Sequence, residues 1–276
     1  MTTLLFVELT LRETQRRRIL WVALLLAFGF LVVFALGFHA IVTEMERFAN
    51  LEEAITISGV LLMTGLYAAD LLVVLLAVLI SVTAVSGEID SHTVEAMVTK
   101  PIHRWQMILG KWLGFTLLIA LYILLLAGGL MLIVYLRTGV VLANIPTGLA
   151  LMLLQGCIIL SITMLGGTRL STLANGVLAF MLFGIATLGG WIEQIGALVE
   201  NETAVNIGIL SSLLMPTQAL WNRALVLFQP NFATSAYFAG PFAVISQPSD
   251  LMVAYALLYA GGFLWLALVS FSRRDL

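Results

Sequence analysis

The chain has 276 residues, 61% of them hydrophobic and only 10% charged, with a mean hydropathy of +1.08. Soluble domains hold about 45 to 50% apolar and a quarter charged residues, so this composition excludes a water-soluble globular fold. A net charge of -2 says nothing about nucleic acid, which is not expected as a partner, and the single cysteine, Cys157, excludes an intrachain disulfide or a cysteine-cluster metal site.

Near the N-terminus, Leu4, Val7 and Leu11 fall on one helical stripe, while Glu8 with Arg12 and Glu13 with Arg17 are spaced to pair on other faces. Residues 1–18 are therefore read as an interfacial amphipathic helix whose basic end lies among anionic lipid headgroups. The apolar stretch after Arg16, Arg17 and Arg18 is too long for a signal peptide, lacks a small-residue cleavage site and is followed by further spans, so 19–41 is a retained first span.

The next apolar region, 55–86, exceeds the roughly 20 residues of one upright crossing, and its crossing is placed at 66–86. Spans follow at 112–136, 148–167, 172–191 and 251–271, with Thr168, Arg169 and Leu170 turning the fourth into the fifth. Between the fifth and sixth, segment 192–250 carries two apolar pieces, 203–214 and 219–228, neither long enough to cross, separated by Met215-Pro216-Thr217. A proline between short apolar helices predicts a re-entrant or surface helical hairpin, and at membrane depth its broken backbone would have to be covered by other protein. Asn201-Glu202-Thr203 fits a glycosylation sequon. The expected fold is all-α: one polytopic membrane domain over 1–276, with six transmembrane helices, an N-terminal interfacial helix and the hairpin.

Basic loops near helix ends stay cytoplasmic. With both termini inside, Arg12, Arg16, Arg17, Arg18, Lys100, Arg104, Lys111, Arg169, Arg273 and Arg274 are cytoplasmic and only Arg47, Arg137 and Arg223 lie outside. An odd number of spans would break this agreement.

Catalytic motifs are missing from the sequence. A phosphate-binding loop would need a glycine at Trp105 and a serine or threonine at Trp112 around Gly110-Lys111, and neither a HExxH helix nor a GxSxG elbow occurs. His39, His92 and His103 are far apart in the chain, so no metal site is expected. Asp70 is the one carboxylate inside an apolar run, a candidate for ion or proton movement. Measured from a span end at Ser86 it stands about 24 Å along the helix, towards the outer face. Gln155 and Asn175 are further polar candidates within spans, and the lining of Leu, Ile, Val, Phe, Ala and Gly suits amphipathic or lipid-like cargo. Gly110 and Gly114 form a GxxxG that permits close helix contact, with a partner either inside the chain or in a second copy.

The most specific stretch is the cytoplasmic loop 87–111 between the second and third spans. Thr93 can cap a short helix bearing Glu95, Pro101 turns the chain, and a basic segment with Arg104 and Lys111 returns to the membrane. A short helix held in the cytosol by two flanking spans is a rigid handle that a partner can push.

Here the chain resembles the membrane subunits of ABC type-2 exporters, whose segment reads approximately S-x-E, three residues, G-T-L-E, then P-[IV]-S-R and G-K. Ser86 and Glu88, Thr93 and Glu95, Pro101, Ile102 and Arg104, and Gly110-Lys111 match; His92, Val94 and His103 depart from glycine, leucine and serine. The resemblance implies a permease subunit whose coupling helix engages a separate P-loop ATPase through Glu88, Thr93, Glu95, Pro101, Arg104 and Lys111. It also implies a second permease chain completing the path. No cofactor is expected in this chain and no catalytic residue; ATP and Mg would be bound by the partner subunit. The competing expectation is an ion- or proton-coupled secondary transporter centred on Asp70. An intramembrane hydrolase or assembly factor has no catalytic constellation to rest on.

Overall fold

The computed structural model describes residues 2–45, 51–84, 104–228 and 244–273, with the side chains of 2, 51–56 and 104 outside that description. Described residues form α1 (Thr2–Arg16), α2 (Arg18–Met45), α3 (Leu51–Val82), α4 (Arg104–Thr138) and α5 (Ile145–Gly167). These are followed by α6 (Thr172–Leu198), α7 (Glu202–Leu214), α8 (Thr217–Phe228) and α9 (Asp250–Ser272). Among the described residues six helices, α2 to α6 and α9, are long and apolar enough to cross a membrane, and there are no strands.

Hydrophobic length is spent unevenly. The 35 residues of α4 extend about 52 Å at 1.5 Å per residue, well beyond a roughly 30 Å hydrocarbon core. The second apolar region forms one unbroken helix, α3, whose spanning part is Ile57–Val82. It ends four residues before the position read from the sequence, because the chain turns at Thr83 and Ala84. Asp70 therefore lies 12 residues, about 18 Å, from the end of its helix, instead of the roughly 24 Å counted from Ser86.

At the bundle's centre stands α5, packed by α3, α4, α6, α8 and α9. It is buried over most of its surface, from Gly148 through Met152, Gln155 and Ile159 to Thr163 and Gly167. By contrast α2 and α9 each bury only a narrow stripe, Ala23, Ala27 and Phe38 on the first and Ala256, Ala260 and Ala267 on the last. In a bilayer such apolar outer faces need no cover, since lipid tails are as apolar as leucine.

The N-terminal helix is more firmly seated than its interfacial pattern suggests. Glu8 and Arg12 pair at 2.5 Å and Glu13 pairs with Arg17, as their spacing predicts. The buried face, however, is Phe6, Thr10 and Thr14, while Leu4 is 72% exposed. Two buried threonines are tolerated because each hydroxyl donates to the carbonyl four residues back, Thr10 to Phe6 and Thr14 to Thr10, both at 2.7 Å. This face lies on the first turns of α4. A Cβ at Gly114 would stand 3.0 Å from Thr10 Cβ, and one at Gly110 would collide with Phe6 Cβ. The GxxxG thus receives the chain's own N-terminal helix.

The hairpin between the fifth and sixth spans is a sharply bent pair of helices, α7 and α8. Asn201 caps α7, its side-chain oxygen accepting from Ala204 N at 3.1 Å, so this residue of the sequon-like triplet has a local structural use. From there α7 doubles back along α6: Gly196 faces Ala204, Glu193 faces Gly208 and Gly189 faces Ser211. A Cβ on Gly196 would lie 2.7 Å from that of Ala204, which is why glycines line this seam. At Met215-Pro216 the chain breaks and α8 leaves at a bend of 107°. Pro216 has no amide hydrogen and cannot continue α7. The carbonyls stranded at the break accept hydrogen bonds from α9, Tyr255 Oη to Leu213 O at 2.5 Å and Tyr259 Oη to Leu214 O at 2.8 Å.

Candidate functional site

Two places in the bundle concentrate polar groups. The first is the basic end, at the root of the loop 87–111. A helix C-terminus leaves four carbonyls without intrahelical partners and carries about half a negative charge, so cations are favoured there. Two arrive from opposite sides. Lys111, on the first turns of α4 and only 5% exposed, donates from Nζ to Ala84 O at 2.8 Å. Arg17, the single residue between α1 and α2, donates to Thr83 Oγ1 at 2.5 Å while also holding Glu13. The end of α3, the start of α4 and the α1–α2 bend are thereby tied into one unit at the point where the loop departs.

Behind this root, Thr163 Oγ1 of α5 lies 2.7 Å from Ser81 Oγ of α3, and Asn175 Nδ2 of α6 donates to Thr163 O at 2.8 Å. Trp112 Nε1 reaches Ser161 Oγ at 3.1 Å. Four helices are cross-linked by hydrogen bonds just inside the basic end.

The second place lies in the middle turns of α3 and α5. Gln155 Nε2 donates to Asp70 Oδ2 at 3.2 Å, joining α5 to α3 across 85 residues of sequence. Both sit 12 residues from the ends of their helices, Gly167 and Val82, so they meet at one depth. One turn before Asp70, the Tyr67 ring packs edge-on against Trp221 of α8 with centroids 4.9 Å apart, and Tyr67 also neighbours Gln218. Gln218 Nε2 in turn donates to Asn222 Oδ1 at 3.1 Å, both side chains buried. The N-terminal turn of α8, just beyond the break at Met215-Pro216, is thus packed into a polar cluster shared with α3 and α5. Among the described residues, Asp70 Oδ1, Gln155 Oε1 and Thr217 Oγ1 are buried there without hydrogen-bond partners. In hydrocarbon each such atom costs several kcal/mol if nothing meets it, about the strongest local signal a membrane interior offers.

Of the three intramembrane candidates, the structure brings Asp70 and Gln155 together and places Asn175 apart, eight residues or about 12 Å further along α5 at Thr163. Lys111 is buried at the loop root. Arg104 opens α4, and Glu88, Thr93, Glu95 and Pro101 lie outside the described residues. Sequence reasoning missed Tyr67, Gln218, Trp221 and Asn222. A signal was present: Gln218 and Asn222 stand at i,i+4 in the helix 217–228, one amide-bearing stripe among mostly apolar residues.

Six apolar spans, a seated lead-in helix, a bent helix pair and a polar centre define a polytopic helical membrane protein. Compared with models of protein families, residues 7–276 match the one described as ABC-2 family transporter protein. The chain belongs to that family and is a membrane permease subunit of the ABC-2 kind, a class that in general works with an ATPase subunit. Compared one by one with curated proteins, it gives no match.

Proposed function

We propose that this subunit forms half of an exporter's translocation path and takes its energy from a separate ATP-hydrolysing subunit through the loop 87–111. Both termini and the basic end face the cytoplasm in this reading, and ATP and Mg are bound by the partner. A second permease chain completes the path. The observation that carries the proposal is the double clamp at the loop root, Lys111 on Ala84 O at 2.8 Å and Arg17 on Thr83 Oγ1 at 2.5 Å. A push on a loop rooted in loose coil would be absorbed locally. A push on this one moves α3, α4 and α1 together, and α3 carries Asp70.

In this scheme Glu88, Thr93, Glu95, Pro101 and Arg104 are the contacts to the ATPase, and Lys111 is the residue that makes their displacement reach the spans. Arg104→Glu and Glu95→Lys are expected to abolish stimulation of the partner ATPase while the permease stays folded and assembled. Wild-type stimulation by either variant overturns the assignment.

A second reading, ion- or proton-coupled transport through Asp70, is favoured by the unpartnered Asp70 Oδ1. Asp70→Asn separates the two. Transport that needs the ATPase and survives the substitution supports the first; transport driven by an imposed proton gradient without the ATPase, and lost in Asp70→Asn, supports the second.

A further inference from the structure

At the basic end α5 and α9 finish side by side, with a groove of about 680 Å³ between them. Its lining combines Arg169 and Arg273 with the hydroxyls of Thr168 and Ser270 and an apolar wall of Leu165, Leu266 and Val269. Neither arginine belongs to the loop root or to the cluster around Asp70 and Gln155. Arg169 sits in the turn after α5 and Arg273 caps α9, its backbone N–H donating to Val269 O at 3.2 Å. Thr168 Oγ1 and Ser270 Oγ are 2.9 Å apart, and Thr168 also donates to Leu165 O at 2.7 Å. The hydroxyls therefore fasten the two helix ends to each other and hold both guanidinium groups on one groove.

We infer that this groove is a binding site for the phosphate headgroup of an anionic phospholipid. Three physical points lead there. Among the described residues no carboxylate lines the groove and neither arginine has an ion pair, so two guanidinium groups face one concavity uncompensated. The C-termini of α5 and α9 oppose an anion, each with about half a negative charge, but two full positive charges outweigh them, and guanidinium forks match phosphate oxygens bidentately. The apolar wall continues directly into the lipid-facing surface of α9, where Leu266 is 44% exposed. A free phosphate would leave that wall in water; a phospholipid covers it with glycerol and acyl carbons. Basic pockets between spanning helices at the headgroup level are the general form of such sites. This inference needs only that α5 and α9 span the bilayer and does not rest on ATPase coupling.

The test is lipid binding to the full-length chain in mild detergent, read by native mass spectrometry during titration with phosphatidylglycerol or phosphatidylcholine. Wild-type protein is expected to retain phosphatidylglycerol preferentially. Arg169→Gln with Arg273→Gln should weaken that retention about 30-fold, equivalent to about 2 kcal/mol, and leave phosphatidylcholine unchanged. The pair Arg169→Lys with Arg273→Lys, which keeps the charge but not the forks, should lose less than the glutamine pair without reaching wild type, and Arg137→Gln at the opposite end should change nothing. Should the double glutamine variant fail to run as a single species, each single variant is expected to lose about fivefold. Equal binding of the two lipids by the wild type overturns the inference, as does wild-type retention by the glutamine variants. Displacement of phosphatidylglycerol by inorganic phosphate overturns it too, by showing a free-anion site.

Discussion

Lys111 Nζ donates to the main-chain oxygen of Ala84 at 2.8 Å, a hydrogen bond that closes a stretch of 27 residues and joins the end of one spanning helix to the start of the next. A charged donor on a buried carbonyl is among the stronger single hydrogen bonds a protein makes.

Lys111→Met keeps most of the side chain's volume and removes its charge. The Ala84 carbonyl then loses this buried donor, which should cost about 1.5–3 kcal/mol and lower the melting temperature in detergent. The proposed force path predicts a further effect: stimulation of the partner ATPase should fall in variant protein that is still folded at the assay temperature. Unchanged melting together with unchanged stimulation would show that the clamp carries neither stability nor force.

The Asp70–Gln155 pair makes a prediction with a characteristic sign. Gln155→Leu removes the donor to Asp70 Oδ2 and leaves both carboxylate oxygens buried and unmet, a loss of about 1–3 kcal/mol or more. Asp70→Leu combined with Gln155→Leu should be less destabilising than Gln155→Leu alone, because two well-packed apolar groups avoid the desolvation of a lone acid. Thermal melts of the two single variants and the double variant complete the cycle. Additive losses would mean that the two residues are neighbours without being coupled.

Tyr255 and Tyr259 hold the carbonyls of Leu213 and Leu214 at the end of α7. Tyr255→Phe with Tyr259→Phe deletes only two hydroxyl groups, and interhelical hydrogen bonds within bilayers average about 0.6 kcal/mol each, at most about 1.7. The expected outcome is local: amide hydrogen exchange around Met215–Leu220 should speed up while the central turns of α5 stay protected. Exchange indistinguishable from wild type in that stretch would show that other contacts hold the break.

Much of this architecture is legible in the chain because hydrophobicity is a local property. An apolar run long enough to cross a bilayer announces a span whatever it touches, a proline between two short apolar runs announces a broken one, and oppositely charged residues four apart announce the pairs seen on α1. The loop motif around Ser86–Lys111 pointed to the family that the match over 7–276 establishes. Boundaries were less legible. Apolar residues continue past Val82, yet α3 stops there, at a turn tied down by Arg17 and Lys111 from other helices.

The choice of faces is where sequence reasoning ran out. On α1 the leucine stripe suggested an apolar face built on Leu4, Val7 and Leu11, but the face turned to the protein is Phe6, Thr10 and Thr14. Two facts let the helix use both faces: lipid accepts exposed leucine at no cost, and a threonine that bonds its own helix can pack like an apolar residue. Similarly, the polar stripe of Gln218 and Asn222 becomes meaningful only beside Tyr67, and Asp70 only beside Gln155, from which 85 residues of chain separate it.

By itself the sequence determined that this is a membrane protein, which long helices can cross, where the break between α7 and α8 falls and to which family the chain belongs. Tertiary structure alone decided that the N-terminal helix occupies the Gly110–Gly114 seat, that α8 packs against Tyr67 of α3, and that Lys111 roots the loop instead of lying on its surface. The physical reason is that the free energy of entering a bilayer is a sum over residues along one segment. The pairing of helix faces, by contrast, depends on rotations, close approaches and hydrogen-bond partners that no single segment contains.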